Sequence, residues 1–317
     1  MTAIDSHISS NARERTFTDK FRREIGKSFT VLLCIVPGMV IFFLFLLIPM
    51  FQSARYSLYD WNGLGPLKDY VGFDNYRLLY HNTIFRSSVQ HSFLIMFMSL
   101  GIQLPLSMVM ALMVGRGGLP GKRAFRTILF VPYVFSEVIT AIIWRYVLHP
   151  SSDGLVNVIL GNIPGYHAVG WIADRNVVLY SIFAVITWKY FGFHMILYMA
   201  GLQAVNKDHE DAARIDGADE KRVLRYITLP LMGSTIRLTV FLSILGSFQQ
   251  LVIIWVLTQG GPVNSSQVIT TFLYKYGIKN FKLGFGSAVA IVLFAITLVF
   301  SLGYQRMIMR QDYGDMA

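Results

Sequence analysis

Three clusters of polar side chains stand in apolar surroundings at spacings that could serve recognition. Tyr133 and Glu137 are four residues apart, a separation that puts both on one face of a helix. Trp188, Lys189 and Tyr190 interrupt an apolar run, with His194 about one turn further along. Ser243, Ser247 and Gln250 recur at i, i+4 and i+7 and make one polar stripe, with Gly246 beside it. Aromatic faces that cover the apolar side of a ring, joined by a few fixed polar groups that select hydroxyls, are what a sugar site needs. Structural explanations stand beside that one. Serine hydroxyls also bond between membrane helices, and Trp188 and Tyr190 can fill space near an interface. Glu137 and Lys189 can simply neutralise each other. Lys189 would suit an acidic sugar through a charge-assisted bond, whereas Glu137 argues the other way.

Bond-making chemistry finds little support. Seven histidines are scattered and the single cysteine, Cys34, has no second thiol, so neither a metal cluster nor an internal disulfide is expected. No G-x-x-x-x-G-K-[ST] loop occurs, so no ATP hydrolysis by this chain is expected, and neither a nucleophile elbow nor H-E-x-x-H is found. No cofactor and no catalytic residue is expected.

The elements that must carry the clusters follow from composition. Of 317 residues, 54% are hydrophobic and only 15% charged, against about 25% charged in soluble domains. That excludes two soluble globules and a disordered chain. Val31 to Phe51 runs 21 residues without a charge, enough to cross a hydrocarbon core of about 30 Å. Further apolar blocks at 89–114, 127–146, 177–202, 236–257 and 286–303 bring the expectation to six helical spans, an all-α polytopic membrane protein. Residues 1–30 read as a polar leader, 31–305 as the membrane domain and 306–317 as a tail. Lys and Arg divide 17 to 8 between the leader-side and opposite-side segments. The positive-inside rule therefore puts both termini in the cytoplasm. The net charge of +10 orients spans and calls for no nucleic acid.

The cytoplasmic segment 203–234 contains Glu210–Pro230, EDAARIDGADEKRVLRYITLP, which reads as two short helices with a turn between them. Asp208 is expected to cap the first, with Asp211 as acidic partner. Gly217 permits the left-handed residue that ends it, and Asp219 is expected to cap the second. Ala212, Ala213 and Ile215 make a small, flat face. This segment resembles the EAA loop of permease subunits of binding-protein-dependent ABC importers. Asp211-Ala212-Ala213, Asp216-Gly217-Ala218 and Ile227-Thr228-Leu229-Pro230 match the family pattern in register. Asp211 stands where the family has Glu, and Asn206 where it usually has Pro; Glu210 or Asp211 could supply the carboxylate.

Val71–Tyr76, Leu129–Tyr133, Ala200–Gln203 and Leu257–Pro262 are similar, in order and spacing, to stretches of the carbohydrate-importing branch (maltose, multiple-sugar, glycerol-phosphate and alginate-oligosaccharide permeases). The resemblance implies a type I permease fold in a bacterial inner membrane. It also implies a second homologous permease, two ABC ATPase subunits that use ATP and Mg, and an external solute-binding protein. The substrate would be a carbohydrate, an oligosaccharide of neutral or acidic kind, with glycerol phosphate as an alternative. By that resemblance the three polar clusters line the sugar path and Glu210–Ala218 meets the ATPase. An ion-coupled secondary transporter is the rival reading, with Glu137 as its proton site.

Overall fold

The computed structural model of the chain describes residues 33, 35–116 and 121–309. The leader 1–30, Cys34, the middle of loop 115–126 and the tail from Arg310 onward lie outside the described residues. Two units are distinguished, Met1–Arg55 and Tyr56–Ala317.

Most of the described part of the first unit lies in helix α1 (Ile35–Tyr56), 22 residues long and apolar enough to cross a membrane. In the second unit, Asn82 caps the chain into a long helix. Its Oδ1 accepts the Phe85 N–H at 2.9 Å. After α2 (Asp74–His81), that helix is α3 (Thr83–Gly115), which widens into a π-helical turn at Ser99–Gln103 just ahead of Pro105. Proline has no N–H to give back to the preceding turn, and a widened turn is one way a helix passes it. Then come α4 (Lys122–Val134), α5 (Glu137–Val147), α6 (Leu155–Leu160) and α7 (Val178–Ala204). The short helices α8 (Lys207–Ile215) and α9 (Glu220–Leu231) lead into α10 (Gly233–Phe248). The last are α11 (Val252–Thr258), α12 (Ile269–Phe272, prolonged by a π-helical stretch to Lys279) and α13 (Leu283–Tyr304).

Four of these helices are each long and apolar enough to span a membrane; α4 with α5, and α9 with α10, do so only as bent pairs. Counting each pair once gives six spans among the described residues. No regular strand occurs among them, only a bridge between Tyr59 and Tyr70.

α7 is the centre of the second unit and packs against α3, α4 and α10. On one half Ile182, Val185 and Ile186 meet Ala141, Ile253 and Ile254; on the other Met195, Tyr198 and Leu202 meet Ala111, Val114 and Met232. Lipid tails are as apolar as leucine, so close contact rather than escape from water must hold such helices together. Gly192 shows how close: a Cβ there would lie 2.1 Å from the Leu129 carbonyl oxygen of α4.

Three expectations are corrected. The block 127–146 is two helices bent by 100°, because Phe135 and Ser136 are extended (ψ 147° and 149°) and Ser136 caps α5. Tyr133 and Glu137 therefore do not share a helix face. α10 ends at Phe248, so Gln250 lies past the helix end and not on the helical stripe of Ser243 and Ser247. The cap of α8 is Asn206, whose Oδ1 accepts the Asp208 N–H at 3.1 Å; Asp208 is already inside the helix.

Candidate functional site

The interruptions of α3, the third span and the fifth span converge on α7 and leave a cavity of about 300 Å³. α3 contributes Ser99 and Gln103 from its π-helical turn, and the broken span contributes Tyr133 and Glu137 from either side of the break. α7 adds Tyr190, Phe193 and His194; α10 adds Ser243, Gly246 and Ser247; the segment after it adds Gln250. Tyr133 and Glu137 thus reach one wall through a kink rather than through helical spacing.

The wall is held by bonds between distant segments. The Tyr190 hydroxyl donates to Glu137 Oε1 at 2.6 Å, and Tyr133 stacks on Phe193 with ring centres 4.7 Å apart. Gln250 is fixed through its carbonyl, which accepts from Thr270 Oγ1 at 2.6 Å, and its Nε2 donates to the Gly246 carbonyl at 3.2 Å. Ser247 returns its hydroxyl to the Ser243 carbonyl at 2.8 Å, a bond within its own helix. Ser243 Oγ and His194 Nδ1 are buried with no protein partner, and both residues border the cavity. A buried polar atom normally finds a partner, so these are two places where a polar ligand or water gains bonds.

Lys189 and Trp188 fall outside the cavity lining. Lys189 is 3% exposed, and its Nζ donates to the carbonyls of Phe135 (2.5 Å) and Tyr133 (3.4 Å). Trp188 packs edge-on against Trp144. Ser99 and Gln103 escaped the sequence reading. The available signal was a polar Gln103 inside an apolar run, two residues before Pro105.

The hairpin of α8 and α9 forms a second, separate constellation. Gly217 has φ +87°, the Ala218 N–H returns to the Ala213 carbonyl at 2.9 Å and the Gly217 N–H to Arg214 at 3.1 Å, a Schellman ending for α8. Asp219 caps α9 by accepting the Arg222 N–H at 2.8 Å. The two neighbouring carboxylates part company. Glu210 is buried and accepts from Thr228 Oγ1 at 2.8 Å. Asp211 is exposed and takes Arg214 Nη1 at 2.6 Å. Arg214 also donates from Nε to Glu220 at 2.8 Å; Glu220 first and Asp211 second hold its guanidinium above the ordinary arginine range. Ala212 and Asp216 are exposed, Ala213 and Ala218 half-buried, and Ile215 is 86% exposed at the tip.

Residues 103–311 match the family model described as binding-protein-dependent transport system inner membrane component. A probable ABC transporter permease protein of Pyrococcus horikoshii is 30% identical over 86% of this chain and 94% of its own length. The diacetylchitobiose uptake system permease protein of Streptomyces coelicolor is 28% identical over 83% of this chain and 77% of its own. The arabinooligosaccharides transport system permease protein of Bacillus subtilis is 26% identical over 93% and 92%. A chain in the crystal structure of a bacterial ABC transporter that imports the acidic polysaccharide alginate shares the fold. It has a TM-score of 0.80 and 24% identity, with 92% of this chain and 99% of that one covered. With its bent and straight spans, its structured hairpin and this family match over most of its length, the chain belongs to the inner-membrane permease components of binding-protein-dependent ABC transport systems.

Proposed function

We propose that this chain is the non-catalytic translocation subunit of an ATP-driven importer whose cargo is an oligosaccharide. The carrying observation is the cavity, where aromatic faces (Tyr133, Tyr190, Phe193) surround donors and acceptors for hydroxyl groups (Glu137, Ser243, Gln250). Relatives named for diacetylchitobiose and arabinooligosaccharides favour the same class. Glu137 presents a carboxylate to the cavity while Lys189 is turned to backbone carbonyls, which favours an uncharged sugar over an acidic one. A second permease closes the path, two ATPase subunits use ATP and Mg, and an external binding protein delivers the sugar. The hairpin Glu210–Ala218 couples to the ATPase, with Asp211 the accessible carboxylate and Ile215 the apolar tip. Both termini face the cytoplasm. The chain does its work by binding the sugar differently in two states.

The test is uptake by the complete complex in proteoliposomes, with a panel of neutral and acidic oligosaccharides. ATP-dependent uptake of a neutral oligosaccharide is expected. Uptake that needs no ATPase and collapses with the proton gradient would replace this reading by a secondary transporter.

A further inference from the structure

The break in the third span leaves backbone carbonyls without helical partners in a segment that lies among membrane spans. Once Phe135 and Ser136 turn the chain by 100°, the last carbonyls of α4 have no following turn to bond them. Lipid offers no donors, so the protein must supply them. The end of a helix also carries partial negative charge, which a cation complements. The Lys189 ammonium meets both needs, donating to Phe135 and Tyr133 from a site 3% exposed.

The next residue of α7 completes a clamp. Tyr190 donates to Glu137, the first residue past the break. Two consecutive residues therefore grip the two sides of the same interruption, Lys189 before it and Tyr190 after it. One turn along α7, Gly192 lets the helix touch the α4 backbone at Leu129, which brings the Lys189 face of α7 up to the end of α4. Tyr133 and Glu137, the residues flanking the break, are the ones that line the cavity.

We propose that Lys189 is a positioning residue, pinning the carbonyls at the break so that Tyr133 and Glu137 face one cavity. It is not a cation that binds the cargo. The inference rests on the cavity being the cargo path. It predicts an effect on all cargoes alike, whereas a direct contact would act on anionic ones.

The experiment uses the assembled complex carrying Lys189→Met, Lys189→Gln or Lys189→Arg. Transport kinetics are followed for one neutral and one acidic oligosaccharide. Spin labels at Arg123→Cys and Arg145→Cys, in a Cys34→Ser background, report the angle between α4 and α5. Lys189→Met should raise the half-saturation concentration about tenfold for every sugar carried, at an unchanged neutral-to-acidic ratio, and should broaden the label-to-label distances. Lys189→Gln, which keeps an N–H donor group without the charge, should fall between, and Lys189→Arg should restore the narrow distribution. Should Lys189→Met fail to assemble, Gln and Arg carry the same comparison. Selective loss of acidic sugars, or a distance distribution unmoved by Met and Gln, overturns the proposal. If no variant and not even the native complex carries a sugar, the proposed function fails, while the distances still decide the role of Lys189.

Discussion

The broken-span wall of the cavity and the α8–α9 hairpin are both short helices joined by a sharp turn, yet they satisfy their polar groups from opposite sources. In the hairpin the caps and the turn find partners close in sequence: Asn206 bonds two residues on, Asp219 three, and the Schellman turn closes within five, while the buried Glu210 to Thr228 bond spans 18. In the wall they come from another span, 53 residues away for Tyr190 with Glu137 and 54 for Lys189 with Phe135. Water can replace a lost partner at an exposed turn, but lipid cannot. Substitutions should therefore cost more at the wall, and in the hairpin only where it is buried.

The largest effect is expected from Gly192→Val. Its Cβ would sit 2.1 Å from the Leu129 carbonyl oxygen, with backbone rather than a flexible side chain in the way. A loss of roughly 3 kcal/mol or more, read as failure of the complex to survive detergent extraction and size-exclusion chromatography, is expected. Normal yield and thermal stability would show that the two helices can separate freely.

Next comes a contrast within the hairpin. Glu210→Ala strips Thr228 of a buried charged acceptor and should cost about 2 kcal/mol in thermal unfolding. Asp211→Ala, at an exposed position, should leave stability nearly unchanged while lowering ATPase stimulation by the cargo-loaded binding protein. Equal melting temperatures for the two variants would erase the distinction between the adjacent carboxylates. Of the variants expected to lose stability, Asp219→Ala should lose least: it removes one cap and should cost about 1 kcal/mol, with Asp219→Asn close to native.

The same contrast explains what could be read beforehand. The spans were legible because hydrophobicity is summed over twenty or so residues, and the hairpin because its caps and Gly217 act locally. Asn206 was missed as the cap because Asp208 offered the same chemistry two residues later, and local rules do not rank neighbours that closely. The clusters at Tyr133, Glu137, Ser243 and Gln250 were legible as polar residues out of place, but their geometry was not. LFVPYVFSEVIT reads as one apolar run, and only Ser136 ahead of Glu137 hints at a new helix start. Lys189 illustrates the limit most plainly. Its expense inside a span marks it as functional, but its partners are carbonyls, which every residue has, so no sequence pattern reveals them.

Cargo in transit should occupy the cavity, and a thiol placed there reports it. Ser243→Cys in the Cys34→Ser background puts a thiol where Ser243 now has a buried, unpartnered hydroxyl. In the assembled complex, the rate of its modification by a small aqueous thiol reagent should fall several-fold when a transported oligosaccharide is present at saturation, and should not respond to a sugar that is not transported. A transported oligosaccharide that leaves the rate unchanged would place its path elsewhere and contradict the account.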